Sequence, residues 1–300
     1  MDKNTSLTII ETYTAAPQTH RIRLSDFAPG TFVSLNSIKS TKKAIKKGRV
    51  LVNGKRGYSG DYIVGGEVIC LLKDEEPTNH PTVDLDVEVC YEDDFLAIVN
   101  KPAGILVSGN KRFTLQNALG TVLKSRSASD AMSWPEPIHR LDYPTSGALL
   151  IGKTHQATLL LNKMFEERKI IKQYLAVTIG KQDAFGTVQY EVDGKKAMSE
   201  YKVLQSLPSE RFGFFNLVQL TLHTGRRHQL RIHLAGMGNP ILGDATYGIE
   251  GLILKGKGLY LHSHLLQFTH PISKENISIK VAPPKKFYKL FGEVLIKIEV

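Results

Sequence analysis

Asp142 stands in the run HRLDYPTSG, between a basic stretch and the turn-forming residues Pro144, Thr145, Ser146 and Gly147. A tight turn of this composition projects a carboxylate on a stiff backbone. Held that way, a carboxylate can serve as a nucleophile that divides one difficult step into two easier ones. An Asp that only caps its own turn, accepting amides two residues on, accounts for the same text. Downstream, LHTGRRHQLRIHLAGMGNPILGDATYG concentrates Arg226, Arg227 and Arg231. The spacing predicts a short helix through HQLRIHLAG, ended by Gly236 and Gly238 with Pro240 beyond. Such a helix stacks Arg227 and Arg231 at four-residue spacing and turns Leu230 and Leu234 toward the core. Guanidiniums so placed either grip phosphate or hold a neighbouring carboxylate in its charged form.

Three other patterns suggest chemistry that their context does not support. Gly147 to Thr154 reads GALLIGKT, which fills every fixed position of the phosphate-loop pattern GxxxxGK[ST]. Its variable positions are Ala148, Leu149, Leu150 and Ile151, which suit a buried strand rather than a turn whose amides face phosphate. The glycine and lysine therefore read as a strand end, and an NTPase site is disfavoured. HRLD carries one residue too many for the kinase HRD loop, and neither the following Asn nor an upstream glycine-rich loop is present. Among ten histidines, His262 and His264 alternate on a strand, while His228 and His233 lie five apart, off helical register. With no cysteine beside them and no HExxH, they read as structural or RNA-facing, and no metal is expected.

The elements that must position these residues are legible in outline. At roughly 150 residues per domain, 300 residues suggest two domains. Apolar residues at 42% and charged residues at 23% exclude a disordered chain, a collagen or a disulfide-stapled miniprotein. No apolar run approaches the ~18 residues of a membrane helix, and MDKNTSLTIIETYT lacks the regions of a signal peptide. Cys70 and Cys90 sit in strand-like text and read as buried thiols in a reducing compartment; the cytoplasm is the expected location.

The net charge of +10 is local. Lys39 to Gly57 reads KSTKKAIKKGRVLVNGKRG, with eight Lys or Arg and no acid, so the rest of the chain carries only +2. A short helix is predicted here, capped by Ser40 or Thr41, burying Ile38 and Ile45 and stacking Lys42 on Lys46 and Lys43 on Lys47. Gly48 suits a left-handed C-cap; a strand over Arg49–Val52, an Asn53-Gly54 hairpin turn, a Gly65-Gly66 turn and a strand over Glu67–Leu72 follow. Like charges at four-residue spacing destabilise a lone helix, and a phosphate backbone relieves them. With Arg49, Lys55 and Arg56, this patch is expected to bind nucleic acid. KDEEPTNHPT then reads as a linker. Beyond it, strand-like runs (VDLDVEVCY, FLAIVNK, YLAVTIG, FNLVQLTLHTG, LYLHSHLLQF, ISIKVA) outnumber helices, the clearest helix being Thr154 to Lys169. The pattern predicts an α+β fold with a mostly antiparallel mixed sheet flanked by helices.

The order helix, KKG, RVLVNGK, GG-EVICLL over residues 20–73 resembles the S-four-type, or alpha-L, RNA-binding domain. Residues 1–19 then form an extension, 74–82 the linker and 83–300 a catalytic domain. Over essentially the whole chain, four segments in order resemble the RluA/RluD-type RNA pseudouridine synthases: YEDDFLAIVNKPAGILV, HRLD with TSG, FEERKIIKQYLAVTIG and TGRRHQLRIHLAGMGNPILGDATYG. The resemblance implies Asp142 as nucleophile, Arg140 as the residue that displaces or replaces the target base, Tyr174 against the uracil ring, Arg231 paired with the aspartate, and Leu230 packed beneath the site. Tyr143-Pro144, VSGN after KPAGIL, and Ser199 depart from usual family residues and bear on the RNA target rather than the activity.

The implied reaction breaks the nitrogen–carbon glycosidic bond of uridine and rejoins the sugar to carbon 5 of the same base. No atom is gained or lost, so no cofactor is expected. Access to the bond requires flipping the nucleotide out, at a few kcal/mol, and an aromatic face offers the base a platform worth about 1–3 kcal/mol. The Tyr174 hydroxyl is a further candidate to assist proton removal at carbon 5. The expected partner is structured RNA, ribosomal RNA before transfer RNA, met by a monomer. A non-catalytic RNA-binding or ribosome-assembly factor is the alternative of another class.

Overall fold

The computed structural model describes residues 8–32, 35, 38–72, 82–124, 128, 130–254 and 256–299. Two compact units emerge, one holding the chain up to residue 80 with residues 129–133, the other the remainder. The expected linker at 74–82 lies, apart from Thr82, outside the described residues.

In the first unit the elements are β1 (Ile9–Thr14), β2 (Ile22–Arg23), α1 (Leu24–Phe27), α2 (Ile38–Lys46), β3 (Val50–Val52), β4 (Lys55–Arg56), β5 (Tyr62–Ile63) and β6 (Val68–Leu72). One sheet runs β1-β6-β3-β4, and β2 pairs β5. Residues expected to lie in an extension thus supply β1, because β6 offers a second edge that Ile9–Thr14 fills in antiparallel register. Asn53 and Gly54 take φ of 49° and 76°, as the two-residue hairpin between β3 and β4 requires. Gly48, at φ 73°, closes α2 as expected. The start of α2 differs from expectation: Ser40 and Thr41 lie inside it rather than capping it, and its buried side is Thr41, Ala44 and Ile45. Ile38 opens the helix and is 52% exposed, because the first residue overhangs the small core that Ile45 enters.

The second unit contains β7 (Glu88–Glu92), β8 (Leu96–Lys101), α3 (Leu115–Val122), β9 (Ala131–Pro137) from Trp134 on, β10 (Ser146–Thr154), α4 (His155–Glu166), β11 (Ile171–Ile179), β12 (Phe185–Val188), β13 (Ser199–Ser209), β14 (Gly213–Leu222), α5 (Gln229–Gly236), β15 (Leu261–Thr269), β16 (Asn276–Lys280) and α6 (Lys285–Glu299). Its large sheet runs β12-β13-β14-β11-β15-β10-β8-β7, with β16 on β15 and β9 on β10. The α+β class and the mostly antiparallel sheet are as expected; β10 meets β15 in a short parallel contact of Ser146 and Gly147 with His262 and Ser263.

β10 is the GALLIGKT strand, and all nine of its residues are buried. Alternate side chains enter opposite cores, Leu149 and Ile151 on one face and Ala148 and Leu150 on the other. α4 covers the second core through Leu161, while Leu115, Leu230, Leu234 and Phe287 from α3, α5 and α6 fill the first. Lys153 ends against Glu92 at 2.7 Å, both side chains under 10% exposed, and bonds the Asp93 carbonyl. α4 stops at Glu166, short of Lys169, because Arg168 turns left-handed at φ 57°.

Candidate active site

Asp142 lies in the link from β9 to β10, and that link is fixed from several sides. The Thr145 amide donates to the Asp142 carbonyl at 3.0 Å, and the Gly104 amide to the Tyr143 carbonyl at 2.8 Å. Lys101, fully buried at the end of β8, donates through Nζ to the carbonyls of Pro102 (2.9 Å), Ile105 (2.8 Å) and Tyr143 (3.4 Å). Burial lowers the Lys101 ammonium to about 8, with Asp142 opposing that shift. Upstream, His139 Nε2 accepts from the Leu150 amide at 3.1 Å and its ring lies 4.9 Å from that of Phe165. Burial takes His139 down to about 3, so the imidazole is neutral and serves as a strut. At the other end Gly147, at φ 112°, lets β10 approach β15; a Cβ there would meet the Ser263 carbonyl oxygen at 2.2 Å.

Arg231 reaches the same place from α5. Its Nε and Nη2 donate to Asp244 Oδ2 and Oδ1 at 2.7 and 2.8 Å, a buried bidentate pair, and its Nη1 lies 3.7 Å from Asp142 Oδ2. Arg231 thus meets Asp142 as expected, but as the longer of two ion pairs. The planar guanidinium gives its forked edge to Asp244 and only the remaining nitrogen to Asp142. Burial alone would make the guanidinium easier to deprotonate, but the bond to Asp244 outweighs it and raises the pKa. Asp244, which burial would raise, is held below the usual carboxylate range by Arg231 and by the Thr246 and Tyr247 amides. The ion pair is thus fixed in its charged form, and it presents a permanent positive charge to Asp142.

Tyr174 enters from β11, 6% exposed. Burial pushes its phenol well above the ordinary value, with the Asp142 charge adding to the shift, so the hydroxyl stays protonated. Arg140 is exposed at the margin. Together Asp142, Tyr174, Arg231, Arg140, Leu230, Arg226 and Arg227 line one cleft of about 280 Å³. This volume is in the range of a small-ligand site.

Two arginines sit differently from expectation. α5 begins at Gln229 because His228 takes a left-handed conformation (φ 55°, ψ 19°), so Arg227 precedes the helix and does not stack on Arg231. Arg226 spends its Nε on the Lys196 carbonyl at 3.3 Å, and its amide on Gln229 Oε1 at 3.0 Å. In the first unit, Arg49 Nε donates to the Leu72 carbonyl at 3.0 Å and Arg56 Nη2 to the Lys46 carbonyl at 3.1 Å. Both thereby brace backbone, while Lys42, Lys43, Lys46, Lys47 and Lys55 are exposed.

Residues 95–236 match the RNA pseudouridylate synthase family. An RNA pseudouridine synthase of Aquifex aeolicus is 32% identical over 279 residues, covering 84% of this chain and 87% of that protein. A ribosomal large subunit pseudouridine synthase D of Xylella fastidiosa is 32% identical over 278 residues, covering 83% and 82%. The chain belongs to the RNA pseudouridine synthase family. The solved structure of human RNA pseudouridylate synthase domain containing 1 shares the fold with this synthase, at a TM-score of 0.57 and 24% identity over 72% of this chain and 89% of that one.

Sequence reasoning missed several residues of the synthase's cleft. Asp244 was a lone acid in LGDATYG, the right type to ionise an arginine, yet nothing local says which one. Tyr247 lies under Arg231 at 5.0 Å and bonds His228 Nδ1 at 3.0 Å. His228 Nε2 in turn lies 3.7 Å from Asp142 Oδ1. Lys172, two residues before Tyr174, also lines the cleft, and burial lowers its ammonium. Of the other histidines, Ser146 Oγ and His262 Nδ1 are 2.9 Å apart, and His262 Nε2 and His264 Nδ1 lie 3.0 and 2.9 Å from the Val281 carbonyl oxygen. These two rings tie strands together.

Proposed function

We propose that this synthase isomerises uridine in structured ribosomal RNA of the large subunit, with Asp142 as the nucleophile. The convergence of Asp142, Arg231, Tyr174 and Arg140 on one cleft carries this reading. Relatives named for the large ribosomal subunit support the choice of RNA. Arg231 brings a guanidinium nitrogen to within 3.7 Å of the Asp142 carboxylate, an attractive partner of opposite charge. Tyr174 offers the everted uracil a face to stack on, and Leu230 supports the floor. Arg140, exposed beside the nucleophile, fills the space the base leaves in the RNA or meets its phosphate. Arg226 and Arg227 flank it as phosphate contacts.

The first unit acts as an S-four-type RNA-binding domain. Its short helices, NG hairpin and lysine face support that assignment, with Lys42, Lys43, Lys46, Lys47 and Lys55 supplying charge and Arg49 and Arg56 contributing while bracing the backbone. The protein works as a monomer in the cytoplasm. Whether Asp142 attacks the base or the ribose, the bonds exchanged are the same, and the proton on carbon 5 leaves.

Release of tritium from RNA made with carbon-5-tritiated uridine tests this reading. Wild-type protein releases tritium from RNA lacking the modification. Asp142→Asn releases none while binding RNA within a few-fold of wild type. Release by Asp142→Asn at the wild-type rate would remove its assignment, and RNA binding without any release by wild type would favour a non-catalytic assembly factor.

A further inference from the structure

His228 lines the cleft in a placement that the roles above leave unexplained. Its backbone is left-handed, a conformation that strains a non-glycine residue and that collects at functional sites. That conformation ends the loop from β14 and turns the ring into the cleft instead of along α5. The ring is held twice: Nδ1 lies 3.0 Å from Tyr247 Oη, and the Tyr247 ring meets it edge-on with centroids 5.7 Å apart. Its other nitrogen, Nε2, is 3.7 Å from Asp142 Oδ1, and the side chain is 20% exposed, so a proton taken up there can pass to water.

We infer that His228 is a catalytic residue, the base that removes the proton from carbon 5 of the rotated uracil. The inference rests on the reading of Asp142 given above. When the glycosidic bond breaks, its electron pair stays on N1. As C5 bonds to C1′, the C5–C6 π pair forms the new bond and the N1 pair closes an N1–C6 double bond. Loss of the C5 proton to Nε2 returns the C–H pair to C5–C6. The N1–C6 pair goes back to N1, which takes a proton from water. With Nδ1–H given to Tyr247 Oη, Nε2 keeps its lone pair for this step. The imidazolium that forms faces the Asp142 carboxylate, free again once the carbon–carbon bond exists. Before the step the imidazole is neutral, since burial lowers its pKa and the Arg231 and Arg227 charges reinforce this against Asp142 and Asp244. Tyr174 suits this role less, because its buried phenol stays protonated.

The test uses the full chain and a ribosomal RNA fragment transcribed with carbon-5-tritiated or carbon-5-deuterated uridine. Asn and Gly both accept a left-handed backbone, so His228→Asn and His228→Gly remove the base without straining α5. Both variants are expected to release tritium ~10²–10⁴-fold more slowly in single turnover, with RNA affinity within about threefold of wild type. Deuterium at carbon 5 then slows His228→Asn severalfold, and added imidazole restores part of the rate of His228→Gly. Wild-type rates in His228→Asn overturn the inference, and so does a loss with neither isotope effect nor rescue, which assigns the ring a structural role. Release by Asp142→Asn at the wild-type rate sinks the Asp142 reading instead, and so separates the two.

Discussion

Arg231 stands between two carboxylates, and the difference between them sets what each does. Asp244 is 1% exposed and takes both forked bonds, whereas Asp142 is 16% exposed and meets the guanidinium at 3.7 Å. Removing one member of a buried pair strands the other charge away from water, at about 3–5 kcal/mol. Asp244→Ala is therefore expected to lower unfolding free energy by roughly that amount in denaturant titration. Asp142→Asn, at a partly exposed site whose charged neighbours stand 3.7 Å off, should cost under about 1 kcal/mol. Equal losses in the two would show that Asp142 is as much a structural partner as Asp244. The division explains how a carboxylate is kept available for chemistry while the arginine beside it stays fixed.

At the scale of elements, the site depends on the junction where β10 meets β15. Gly147 allows the approach, and Ser146 Oγ lies 2.9 Å from His262 Nδ1 across it. His262 is fully buried, and burial lowers it to about 4, against about 6.5 for an unfolded histidine. The sign follows from proton counting. Below pH ~6.5 the unfolded chain takes up a proton that the folded one refuses until about 4, so stability falls as pH falls through that window and is fully present above it. Equilibrium denaturation between pH 4 and 7 should show this loss, and His262→Gln should lessen its slope while buried His139 keeps its own share. An unchanged pH slope in that variant would assign the acid sensitivity elsewhere. The same strand shows why GALLIGKT does not fold as a phosphate loop: its variable residues are packed in two cores, and Lys153 is committed to Glu92.

For the molecule as a whole, the charge distribution is the governing feature. Eight of the excess cations lie between Lys39 and Gly57, and the four lysines of α2 and its end point away from the buried Thr41, Ala44 and Ile45. Each phosphate neutralised on binding releases counterions, which makes affinity fall with salt. Replacing Lys42, Lys43, Lys46 and Lys47 by Gln should weaken RNA binding and flatten the slope of log affinity against log salt by about 0.7–0.9 per lost contact. The rate of the bound complex in single turnover should remain near wild type, because no lysine of this set lines the cleft. An unchanged salt slope would place the RNA elsewhere on the protein.

What the sequence by itself determined was local or written in signatures. The NG hairpin needs two positive φ values that Asn and Gly supply, the GALLIGKT run needs a buried strand, and the ordered segments around Asp142, Tyr174 and Arg231 declare the family. Local text also misled where an end effect mattered, as with Ile38 at the start of α2 and Arg227 before α5. Only the tertiary structure decided that Arg231 gives its fork to Asp244, that Tyr247 holds His228, and that Lys101 clamps the Asp142 link from behind. The physical reason is that an ion pair or a buried donor is chosen by distance after the strands have paired. Residue type shows which groups can bond, and the register of β10 between β8 and β15 settles which of them meet.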